Sequence, residues 1–79
     1  MSAIERMIAY HMARLKDKNP GVRIKSIEEL ALLEATEAYP ALEEMFRADP
    51  DGEVRKAAQQ AGRVLFLKLH REGDIPPEK

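Results

Sequence analysis

Cysteine is absent from this chain of 79 residues, so neither a disulfide nor a thiolate metal site can hold it together. Tryptophan is absent too, and two tyrosines with two phenylalanines make up the whole aromatic complement. Together with few β-branched residues, that scarcity argues against sheet. Neither sign of charge dominates: 13 basic against 14 acidic residues leave a formal net charge of −1, which provides no overall field toward nucleic acid or an anionic membrane. No apolar run approaches the roughly 20 residues needed to cross a bilayer. Met1-Ser2-Ala3-Ile4-Glu5-Arg6 is no hydrophobic signal segment, so a soluble cytoplasmic protein is expected. Catalytic signatures are also lacking, with no Gly-rich phosphate loop, no thiol nucleophile and no serine framed with a histidine. Glu28-Glu29 and Glu43-Glu44 are adjacent, and a helix points adjacent side chains about 100° apart, as suits surface charges. No enzyme, cofactor or metal is expected.

What is present suits helices: 44% hydrophobic residues, largely Ala, Leu, Ile and Met, on a well-charged chain. One small domain is expected over residues 1–72, with a loose tail at 73–79. A core of this size rarely supplies more than roughly 3–5 kcal/mol, and without disulfide or metal the remaining support is oligomerisation. The most informative pattern is an echo. Asp17-Lys18-Asn19-Pro20-Gly21-Val22-Arg23 returns as Asp49-Pro50-Asp51-Gly52-Glu53-Val54-Arg55, thirty-two residues later. A period of that size signals stacked helix pairs.

Punctuation predicts four helices. Ser2 and Glu5 have capping-box spacing, and Ile4, Ile8, His11, Met12 and Leu15 form one stripe of a helix over Ala3–Lys16. Asn19 caps a second helix with Pro20 at its first position. Val22, Ser26, Leu30 and Leu33 are its inner stripe, and it ends near Glu34. After a link at 35–37, a third helix tolerates Pro40 only in its first turn, with Ala38, Leu42, Met45 and Phe46 inward. Asp49 or Asp51 caps the longest helix, whose stripe is Val54, Ala58, Ala61, Leu65 and Leu69, with Gly73 as its natural end.

Leu30 through Leu42, then Phe46, Asp49-Pro50, Val54-Arg55 and Ala57-Ala58, resemble a HEAT repeat of the short bacterial kind first noted in phycobiliprotein bilin lyases. The first unit is more degenerate: Asn19-Pro20 and Val22-Arg23 match, while Lys25-Ser26 replaces the paired alanines. The resemblance implies an all-α fold of two stacked antiparallel helix pairs, a four-helix fragment of an α-solenoid, with helices 1 and 3 outside and helices 2 and 4 inside. It also implies a framework role for Arg23 and Arg55. A helix pair cannot cover its own apolar face, and three repeats are the usual minimum. Two repeats leave both ends open.

A protein-interaction or adaptor module, homodimeric and without catalysis, is therefore expected. Two apolar strips are candidates for a partner or dimer surface. Ile24, Ile27 and Ala31 share a face whose aligned residues, Lys56, Gln59 and Arg63, are polar. Val64, Phe66 and Leu67 lie outside the inner stripe of the last helix. His11 belongs to the core stripe as a hydrogen-bonded histidine. The alternative function is nucleic-acid binding through Arg14, Lys16, Lys18, Arg23 and Lys25, although Asp17, Glu28 and Glu29 interrupt that cluster and no aromatic platform accompanies it. A further alternative, an accessory subunit or chaperone of a lyase-type enzyme, is implied by the resemblance alone.

Overall fold

A computed structural model describes residues 1–71 as α1 (Ala3–Arg14), α2 (Pro20–Leu32), α3 (Tyr39–Ala48) and α4 (Gly52–Arg71), with a 3₁₀ turn at Thr36–Ala38. No strand occurs among the described residues. The expected tail at 73–79, and the helix end at Gly73, lie outside them.

Local chemistry accounts for each boundary. Ser2 Oγ accepts from the Glu5 N–H at 3.1 Å while Glu5 Oε1 accepts from the Ser2 N–H at 3.0 Å, closing the capping box. Asn19 Oδ1 accepts from the Gly21 N–H at 2.8 Å, with Pro20 opening α2. Of the two candidate caps for α4 it is Asp51 that serves, accepting from the Glu53 and Val54 N–H groups at 2.8 and 3.1 Å. α3 has no side-chain cap; the 3₁₀ turn leads into it and Pro40 falls in its first turn. α1 stops at Arg14, two residues short of the expected end.

α2 ends in a Schellman motif. The Ala35 N–H reaches the Leu30 carbonyl and the Glu34 N–H reaches the Ala31 carbonyl, both at 3.0 Å, and Glu34 takes the left-handed conformation at φ 55°. That conformation ordinarily selects glycine and costs another residue roughly 1–2 kcal/mol. The Glu34 carboxylate accepts from Lys68 Nζ at 3.2 Å, tying the end of α2 to α4.

The packed pairs are α1 on α2, α3 on α4 and, between the repeats, α2 on α4. The main packing between the two hairpins is therefore that of the inner helices α2 and α4. The molecule is 15 Å thick in its narrowest dimension, about two helix layers at 8–10 Å between axes. Ile27, Leu30, Leu42, Val54 and Leu65 form the fully buried centre. Small residues at Ala57, Ala58 and Ala61 let α4 come close to its neighbours. Ser26, buried and polar, is satisfied by His11 Nδ1 at 3.0 Å across α1 and α2, as a buried hydroxyl requires.

Ile27 therefore does not belong to an exposed strip: α4 packs over that side of α2 and takes it into the core, and Ile24 and Ala31 are half-buried beside it. Other inner-stripe expectations also shift. Val22 is half-buried rather than buried like Val54, and Ile4 and Phe46 are exposed. Ile4 lies on the leading side of the first hairpin and Phe46 on the trailing side of the second, which no hairpin covers among the described residues.

Candidate interaction surfaces

Two surfaces carry the apolar residues that the core leaves out. The first is the groove between the inner helices. Its floor is Ala31, Ala57 and Ala61, and its rims are Leu32 of α2 and Val64 of α4. Leu32 is 78% exposed and Val64 46%. They stand thirty-two residues apart, at the same position of each repeat. Further along, the groove turns polar, with Glu28, Gln60, Glu53 and Lys56 around half-buried Ile24. An apolar end and a charged end of both signs make a surface that can anchor one side chain and orient another.

The second surface is the trailing face of α3 and α4, a hollow of about 270 Å³ bordered by Tyr39, Glu43, Phe46, Gly62, Arg63 and Phe66. Tyr39 and Phe66 have ring centroids 6.0 Å apart, and Phe66 lies 4.2 Å from the His70 ring. Gly62 leaves the aromatic floor accessible; a methyl there would only just touch Tyr39, at 4.0 Å. The Tyr39 hydroxyl donates to Glu43 Oε2 at 3.3 Å. Burial, and then the charge and hydrogen bond of Glu43, hold its phenol above the usual range.

Val64, Phe66 and Leu67 are all exposed, as the sequence suggests, but they do not make one patch. Two residues of helix rotate by about 200°, so Val64 serves the groove while Phe66 serves the trailing hollow. Sequence reasoning missed Leu32, hidden in the run Leu30-Ala31-Leu32-Leu33, and the pair Tyr39 and Phe46. The thirty-two-residue offset was the available signal for Leu32, since it maps onto Val64.

The basic cluster loses its centre. Arg23 grips Asp49 with two bonds, Nε to Oδ2 and Nη2 to Oδ1, each 3.0 Å. Its Nη1 donates to the Asp17 and Lys18 carbonyls at 2.7 and 3.1 Å. With side chains only 11% and 7% exposed, the pair is a buried rung between the two hairpins and offers nothing to a phosphate. Arg14 lies over the Tyr10 ring at 5.1 Å. Lys16, Lys18 and Lys25 remain exposed, around Asp17. Arg55 repeats half of the rung: its Nη1 donates to the Asp49 carbonyl at 2.7 Å, and no carboxylate meets its other edge among the described residues.

Among the described residues no group of histidines and carboxylates is arranged to hold a metal ion, and no helix is long and apolar enough to cross a membrane. Residues 4–62 match the family model described as HEAT repeats. The match is to the repeat in general and does not confirm the likeness to bilin lyases. No curated protein and no solved structure matches the chain significantly.

Proposed function

The chain belongs to the HEAT-repeat family, and on that premise we propose that it is a non-catalytic adaptor, binding a protein partner in the α2/α4 groove and pairing with a second copy of itself in a homodimer. HEAT repeats generally mediate protein–protein interaction, and the fold is typically non-catalytic. The observation that carries the reading is the facing pair Leu32 and Val64, large, apolar and exposed over an alanine floor. Each loses favourable burial by facing water, at about 25 cal/mol per Å² of apolar surface, and a partner's apolar side chain between them recovers it. The charged end of the groove supplies direction. The nucleic-acid alternative is weakened because Arg23, at the centre of its basic cluster, is held by Asp49.

A photo-crosslinking residue at position 32 or 64, with position 44 on the exposed side of α3 as control, tests the groove. The expected result is the same foreign-protein adduct from both groove positions and none from the control. Equal adducts from all three positions would sink the reading. Leu32→Asp and Val64→Asp should abolish capture while changing stability by no more than about 0.5 kcal/mol, as exposed sites do.

A further inference from the structure

The rung between the hairpins has two unfinished counterparts, one at each end of the stack. In the interior, Arg23 reaches back to the Asp17 carbonyl and forward to the Asp49 carboxylate. Arg55 reaches back in the same way, to the Asp49 carbonyl. Its other edge meets no carboxylate among the described residues. At the other end, Asp17 is built as Asp49 is. Its Oδ1 accepts from the Asn19 N–H at 2.9 Å, just as Asp49 Oδ1 accepts from the Asp51 N–H at 3.0 Å. No arginine comes forward to it among the described residues. One end presents a donor without its acceptor, and the other presents the acceptor without its donor.

The apolar surfaces match the same register. The trailing face exposes Phe46 where the first hairpin buries Leu15, with Tyr39 and Phe66 beside it. The leading face exposes Ile4 and Met7 one repeat before Ala35 and Ala38, which are buried in the interior. Each margin therefore carries both apolar surface and one half of an ion pair, and the halves are complementary rather than identical.

Resting on the proposed pairing with a second copy, we propose that the copies join head to tail. The trailing face of one chain receives the leading face of the next, and Arg55 grips Asp17 of that next copy as Arg23 grips Asp49. Such a contact is heterologous: it continues the step of the repeat and leaves a free donor and a free acceptor at the ends of every assembly, so the homodimer is its shortest form and further copies can add. The ion pair sets direction, because donor against donor and acceptor against acceptor repel.

The test is sedimentation of the purified full chain over a wide concentration range. The average mass should climb past the dimer without a plateau, and added salt should lower it. Arg55→Glu and Asp17→Lys should each weaken assembly by at least about tenfold. Mixed together, they should assemble past the dimer again with the two variants alternating, since one contact keeps the native pair and the next has it reversed. Both changes in a single chain should restore assembly with the pair reversed. Arg55→Gln and Asp17→Asn, milder at the turns, serve where circular dichroism shows that charge reversal has cost the fold. A mass fixed at the monomer would overturn the proposal, as would a dimer plateau indifferent to both single changes, or a mixture that stays monomeric. None of these outcomes touches the groove, which is scored by adducts to a foreign protein.

Discussion

The two hairpins are built to one plan and live in different surroundings. Leu15 is 6% exposed and its counterpart Phe46 is 41% exposed. Ile27 is wholly buried, whereas its counterpart Gln59 is exposed. Arg23 completes a buried rung and Arg55 stops halfway. Burial in such a stack is thus not a property of a position within the repeat. It depends on whether another hairpin arrives, and in the first hairpin the arriving surface is α4.

That contrast can be broken most forcefully at the junction itself. Ile27→Ala removes buried atoms between α2 and α4 and leaves a cavity, so it should cost roughly 3–4 kcal/mol in urea or thermal unfolding, within the range for such truncations. Gln59→Ala, the same position of the second hairpin, should stay within about 0.5 kcal/mol. Similar losses at both sites would mean that the trailing face is as well covered as the junction.

The rung offers a second and smaller contrast. Asp49→Ala strands the Arg23 guanidinium in a nearly buried place and removes the acceptor for the Asp51 N–H. Breaking one side of a buried pair costs 3–5 kcal/mol. Arg23 keeps its two carbonyl partners, so roughly 2–3 kcal/mol is expected here. Arg55→Ala loses one neutral acceptor and should cost about 1 kcal/mol. Both are measured by denaturant unfolding, dilute enough that self-association adds nothing. Equal costs would show that Arg55 already has a forward partner.

Much of the fold was legible because it is local. The capping box at Ser2 and Glu5, the Asn19-Pro20 start and the Asp49–Gly52 turn are decided within a few residues, and the echo at thirty-two residues announces the stack. The surfaces were less legible because exposure is set by the neighbour. Ile24, Ile27 and Ala31 looked like a strip to be covered by a partner only because helical periodicity does not say which sides of α2 the chain itself covers; α1 and α4 flank it, and Ile27 vanishes between them. Phe46 failed in the opposite direction: its helical stripe points inward by pattern, yet no described residue covers that side enough to make it interior. The framework role of Arg23 was legible through the resemblance, but its place in the alternative basic cluster could be discarded only once Asp49, distant in sequence, was found holding it. The groove was hidden for a related reason: Val64 stood outside its inner stripe in the sequence, but Leu32 looks like part of an ordinary apolar run until the two are brought face to face.

The smallest effect concerns Tyr39, which occupies the place of Ile8 and so tests how open the trailing face is. Burial, and then Glu43, raise its phenol above the usual value, so the native state holds that proton more tightly than the unfolded chain does. The resulting stability is fully present below the unfolded value of about 10 and is lost as pH rises through the higher native value. Tyr39→Phe should leave stability near neutral pH almost unchanged and remove this alkaline loss. Tyr10→Phe leaves Tyr39 as the sole phenol, so its ionisation can be followed by ultraviolet absorbance. If a second copy covers the trailing face, concentrating the protein buries Tyr39 further and moves its titration to still higher pH, since desolvation disfavours the phenolate. A titration that ignores concentration would leave the trailing face open to water and restrict the difference between the hairpins to a single chain.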